Sequence, residues 1–294
     1  MCYYREQMNE HSTLTDWLRY QAITVWDRIA FCRRQPHTQV FETTLTQNLV
    51  FQFYQLGKRA RLGVTVYESA HERRNGNDLE LVFEVDNRWL HVPCQCKILH
   101  QHNRYGGINH QVQGQLQLDL LLEYATRTGG LPVYLLYNHY SDPTFNESLS
   151  EHWKIPIEEF GCSFISARYL KEQLFIDGRI KAPSFSDLHR PHDQSALPFS
   201  ALTTLLTQNG IHQFIHRYQT NTHPTDTPPA VFLRNELDID GWDRLLRPAA
   251  IGRIVPLRGP TPILSLSGIS TSFAPRYRLV FSAEMKERVL YRIE

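Results

Sequence analysis

Residues Gly76–Lys97 read GNDLELVFEVDNRWLHVPCQCK, and the fold depends on how they pair. The runs 78–85 and 88–98 are strand-like, and Asp86-Asn87 between them is a two-residue turn, so the stretch is expected to form a hairpin. Side chains alternate across a strand. Gln95 and Lys97 therefore share one face and Cys94 and Cys96 the other, while Asp78 and Glu80 point together. Such a hairpin gathers an acid, a carboxamide and an ammonium group at one end of a sheet, the minimal equipment for holding a divalent metal beside a phosphodiester.

Upstream, Leu14, Trp17, Leu18, Ile23, Trp26 and Ile29 recur at helical spacing. They predict a helix over 12–34, capped by Ser12 or Thr13 and stopped by Pro36. A second helix is expected over 41–56, closed by Gly57, with Phe41, Leu45, Leu49 and Phe53 as its stripe and Glu42 beside it. A strand over 62–68 precedes the hairpin. Downstream, HQHNRYGGINHQ (100–111) reads as a loop, 112–127 as a helix ended by Gly129-Gly130, and 131–138 as a buried strand. A short strand and helix are expected over 160–175. Strands followed by a helix and another apolar strand predict an α/β fold, a mixed central sheet flanked by helices.

The composition changes after residue 182. Pro, Ser, Thr, Asp and His become frequent over 183–230, broken by one helix near 199–217, and β-like runs (VFLRN, RIVPL, RYRLVFSAE) follow. The expected division is an α/β domain over 1–182, a linker and helical segment over 183–230, and a β-rich accessory region over 231–294.

An apolar fraction of 41% and a charged fraction of 21% suit a folded protein rather than a disordered one. Lys plus Arg at 31 against Asp plus Glu at 30 argues against a protein that coats DNA, so nucleic-acid contact is expected from local patches. Lys58, Arg59 and Arg61, and Arg73 with Arg74, are such patches. They flank the hairpin in sequence, although exposed charges are also ordinary surface. No run of about 18 apolar residues and no secretion-signal core is present, and five cysteines lack a disulfide framework. A cytoplasmic protein without membrane contact is expected. There is no GxxxxGK[ST] phosphate loop. His100, His102 and His110 share one loop without a cysteine pair at zinc spacing. His189, His192 and Asp193 have no Ser or Cys in a nucleophile elbow.

The order of a helical Glu42, GNDLEL with Asp78, QCK with Lys97, and a glutamine-bearing helix resembles the PD-(D/E)XK nuclease superfamily. It is most similar to the branch with glutamine in place of the third-motif acid, as in Mrr-like restriction enzymes. The run from GND through QCK, the YGG loop, the QLDLLLEYA helix and the PVYLLYN strand also resembles an uncharacterised bacterial domain family of that superfamily. The likeness covers roughly residues 40–170. It implies a PD-(D/E)XK-type core, an endonuclease acting on DNA, and a place in bacterial defence or restriction.

The metal implied is Mg²⁺ or Mn²⁺, held by Asp78, Glu42, Gln95 and the backbone carbonyl of Cys96, with Gln95 a weaker neutral ligand. Lys97 would hold the attacking water or the transition-state phosphate. Gln117, or less well Gln115, would be the supporting glutamine, with Glu80, Glu68 and Tyr105 as further candidates. Each residue also has a purely structural reading: Asp78 as a turn residue, Lys97 as an edge lysine, Glu42 as a helix-start acid, Glu80 and Glu68 as solvated strand charges, Tyr105 as a surface tyrosine. On those readings the chain is an inactive nuclease-fold module that binds nucleic acid or protein. Two-strand cleavage would favour a homodimer, and the C-terminal region could dock a protein partner.

Overall fold

The computed structural model describes residues 13–60, 64–69, 79–112, 114–176, 179–192, 194–218, 233–235, 242–246 and 277–281. Helix α1 spans Leu14–Arg34. Its start is a capping box in which the Thr13 hydroxyl accepts the Asp16 amide and the Asp16 carboxylate accepts the Thr13 amide. Helix α2 spans Glu42–Ala60 and runs through Gly57 instead of ending there. One glycine costs a helix only about 1 kcal/mol relative to alanine, and its neighbours Gln55, Leu56, Lys58, Arg59 and Ala60 are good helix formers.

Strands β1 (Val64–Ser69), β2 (Leu79–Val85) and β3 (Arg88–Ile98) follow. β2 and β3 form the expected hairpin, closed by Asp86 and Asn87, both with positive φ (50° and 59°), as a primed turn requires. A small pair, β4 (Gln111–Val112) and β5 (Gln115–Leu116), turns at Gly114 with φ 85°. It takes up the residues expected to open the next helix, so α3 spans Gln117–Thr128 and ends on left-handed Gly129. Next come β6 (Val133–Tyr137), α4 (Pro143–Trp153), a 3₁₀ turn over Ile157–Gly161, β7 (Cys162–Ser166) and α5 (Ala167–Leu174). The chain continues through a small hairpin of β8 (Phe175–Ile176) and β9 (Arg179–Ile180), then α6 (Phe185–Leu188) and β10 (Leu197–Pro198). The helix expected near 199–217 is two pieces, a 3₁₀ segment Phe199–Leu206 and α7 (Gln208–Arg217), because Thr207 leaves the helix and caps the second. The remaining strands among the described residues are β11 (Trp242–Leu246) and β12 (Tyr277–Phe281).

These elements make an α/β fold around a mixed eight-stranded sheet of order β10-β7-β6-β3-β2-β12-β1-β11. β3 is parallel to β6, and β12 is parallel to β2. The face carrying Leu79, Leu81, Phe83, Cys94 and Cys96 packs under α1, α2 and the 3₁₀ segment, where Phe83 stacks on Phe281 and Phe53 meets Phe281 and Phe199 edge-on. Cys94 and Cys96 are buried there, as small apolar core residues should be. Helix α3 covers the opposite face, the one with Gln95 and Lys97.

The segment read as linker and helix supplies Phe185, Leu188, Phe199, Leu202 and Leu205 to this same core. The accessory region supplies β11 and β12 to the central sheet, with β12 inserted between β2 and β1. Its RIVPL run lies outside the described residues. Composition marks where loops meet water; it carries no information on which distant strand completes a sheet. No helix among the described residues is long and apolar enough to cross a membrane.

Candidate functional site

β3 pairs with β2 so that Leu79 lies opposite Cys94 and Glu80 opposite Pro93, which leaves 95–98 beyond Leu79, the first residue of β2. Gln95 and Lys97 project from that end on the α3 side. Lys97 is almost fully enclosed, with 7% of its side chain exposed, and its Nζ lies 3.5 Å from Oε1 of Glu42. Glu42 is the first residue of α2 and keeps 26% of its side chain exposed. Its other oxygen accepts the Ile98 amide at 3.2 Å. Burial raises the Glu42 carboxyl above its ordinary value, and Lys97, the Ile98 amide and His100 pull it back only in part.

The backbone of β3 adds a direction. Leu99 donates its amide to Tyr137 of β6, and Ile98 donates to Glu42 on the other side. Amide and carbonyl alternate sides along a strand, so the Cys96 carbonyl is directed to the same side as the Ile98 amide, away from β6.

The loop 100–110 closes over Lys97. A Cβ on Gly107 would stand 3.2 Å from Lys97 Cδ, so any larger residue there would press on the lysine stem. The loop is anchored by Tyr105, which is fully buried and donates its hydroxyl to Asn138 Oδ1 at 2.6 Å. Asn138 in turn donates to Ser163 Oγ, which lies 2.7 Å from Nε2 of His189. His189 Nδ1 faces the Phe185 carbonyl, so it carries the proton, Ser163 donates to Nε2, and the imidazole is neutral. Tyr105 is therefore a core anchor: neither a surface tyrosine nor a group that reaches phosphate.

Glu80 also departs from its expected place. It is fully buried, with Oε2 2.6 Å from Arg278 Nε of β12 and Oε1 3.1 Å from both His91 Nδ1 and the Tyr124 hydroxyl of α3. Its carboxylate holds the sheet together and is engaged away from Glu42. Glu68 is on β1, which β12 separates from β2. Lys58 and Arg59 are in the last turn of α2, about 25 Å along the helix axis from Glu42 at 1.5 Å per residue, so nearness in sequence is not nearness in space. Gln117 opens α3 with a buried Oε1 that has no hydrogen-bond partner, whereas Gln115 is exposed on β5. Asp78, Arg61, Arg73 and Arg74 lie outside the described residues; Asp78 immediately precedes Leu79 in the chain.

The site that results is a nearly buried ammonium held by a half-buried carboxylate, with a carboxamide on the same strand face. Its oxygen donors, the Glu42 carboxylate, the Gln95 carboxamide and the Cys96 carbonyl, are the hard type that Mg²⁺ and Mn²⁺ take. Among the described residues no three or more His, Cys, Asp or Glu side chains gather as a metal-holding group. Two features escaped sequence reading. His100 acts electrostatically on Glu42, and Arg278 pairs with Glu80 from the far end of the chain. Neither left a signal in the local sequence.

The chain belongs to the family of unknown function DUF6615, whose pattern matches residues 14–255. That span begins at the first residue of α1 and passes β11, so the DUF6615 pattern takes in Glu42, Lys97 and the 183–218 segment alike. No curated protein and no solved structure matches the chain.

Proposed function

We propose that this chain is a metal-dependent endonuclease that hydrolyses DNA phosphodiesters at the end of β3. The observation that carries the reading is the meeting of Glu42 and Lys97 at 3.5 Å, from a helix start and a strand far apart in sequence, beside Gln95. Lys97 faces a transition-state phosphate from a site sheltered from water, where an ammonium stabilises developing charge far better than in bulk solvent. Glu42, Gln95, the Cys96 carbonyl and Asp78 would hold Mg²⁺ or Mn²⁺. When bound, the metal would supply Lewis-acid stabilisation and a hydroxide near neutral pH. A bacterial cytoplasm and a role in restriction or defence against foreign DNA suit such an enzyme, which would act as a homodimer if it cuts both strands.

One observation favours the rival reading, an inactive nuclease-fold module that binds nucleic acid or a protein partner. Both oxygens of Glu42 already have partners, Lys97 and the Ile98 amide. Cleavage of supercoiled plasmid with Mg²⁺ or Mn²⁺ separates the two. The parent should nick or linearise DNA, and Lys97→Ala and Asp78→Ala should each lose about 100-fold or more in rate. An inert parent, or variants that cut as well as the parent, would sink the hydrolase reading.

A further inference from the structure

Consecutive glycines of the loop lie against two side chains at this end of the sheet. Gly107 abuts Lys97, and a Cβ on Gly106 would stand 3.4 Å from Cδ2 of the His100 ring. Lys97 and His100 are thus neighbours under one short stretch of backbone. The His100 backbone is tied down from three sides. Its amide donates to the Arg104 carbonyl at 3.0 Å, and its carbonyl accepts the Asn103 amide at 2.9 Å and Arg33 Nη2 at 3.0 Å. The same guanidinium also holds the Leu99 and His139 carbonyls, which fixes the loop base to β3 and to the end of β6. The side chain of His100 is nonetheless exposed. From Lys97 through Glu42 to His100 the polar groups run from enclosed to open, with the imidazole at the solvent end and electrostatically coupled to Glu42.

We propose that His100 is a further binding residue of this site, donating a ring N–H to a phosphoryl oxygen whose charge Lys97 holds, with Gly106-Gly107 as the turn that keeps both side chains in place. This deepens the nuclease reading by assigning a group that grips the phosphate, and it requires only anion binding. An imidazole carries at least one N–H in either protonation state, so the contact does not depend on its charge.

The test uses the full-length protein with ¹⁵N-labelled histidine, titrated first with inorganic phosphate and then with the dinucleotide thymidylyl-thymidine. The His100 ring signals, assigned by their loss in His100→Gln, should shift saturably with both. Dinucleotide affinity should fall about tenfold in His100→Ala, as for loss of one hydrogen bond to a charged group. His100→Gln should recover part of it through its carboxamide N–H, while His102→Ala binds like the parent and all variants keep the parent's thermal midpoint. Static His100 signals, or parent-like binding by His100→Ala, would overturn the proposal. A parent that binds through His100 but never cuts plasmid removes the hydrolase reading and leaves this one standing. A parent that cuts with KM and kcat unchanged in His100→Ala does the reverse.

Discussion

Glu80 is gripped by Arg278 at 2.6 Å and by His91 and Tyr124 at 3.1 Å, with no part of it exposed. Burial alone would push its carboxyl up, but Arg278 and His91 more than offset this and hold it at about 2, below its ordinary 4.5. A depressed carboxyl contributes stability that is present above the ordinary value and is lost as pH falls from 4.5 towards 2. His189, neutral in its apolar surroundings, is lowered from 6.5 to about 3. The unfolded chain therefore takes up that proton first, and stability drops as pH falls from 6.5. Both groups drive acid unfolding. Glu80→Gln, which leaves Arg278 buried without its counter-charge, should cost about 3–5 kcal/mol at pH 7. In urea titrations its stability should fall less steeply than the parent's between pH 4.5 and 3; parallel acid limbs would show that Glu80 is not the titrating group. Strand alternation placed Glu80 on the face of Asp78. It could not show that a guanidinium 198 residues later would claim it.

At the scale of elements, β12 shows the same boundary. Its run YRLVF is legible as a strand, and the hairpin β2–β3 is legible with its turn, because both are written in local period and turn chemistry. The parallel pairing of β12 with β2, Arg278 opposite Glu80, is a long-range choice that local pattern does not encode. It makes five residues near the C-terminus a central strand. Deleting residues 221–294 removes β11 and β12, bares the edge of β2 and strands the buried Glu80. The truncated chain should lose its cooperative thermal transition and near-ultraviolet circular dichroism. A truncated chain that melts cooperatively near the parent's midpoint would show that the sheet does not need β12.

For the molecule as a whole, three distant segments converge where β3 ends: the start of α2 with Glu42, the strand with Gln95 and Lys97, and the loop held by Tyr105, Asn138 and Arg33. The first two were legible because side-chain alternation and helix starts follow simple rules. The third was not, because a Gly-rich polar loop gives no sign that its tyrosine is buried or that its glycines abut a lysine and a histidine. On the proposed nuclease reading, Glu42 and Lys97 meet for chemistry rather than for stability. The double variant Glu42→Gln/Lys97→Met removes both charges together, so neither is left enclosed without its counter-charge, and the introduced carboxamide can still accept the Ile98 amide. Plasmid cleavage in Mg²⁺, measured beside the thermal midpoint, should show an active parent and a double variant that melts no lower yet cuts no DNA. A double variant that cleaves at the parent's rate would rule out a catalytic role for the pair.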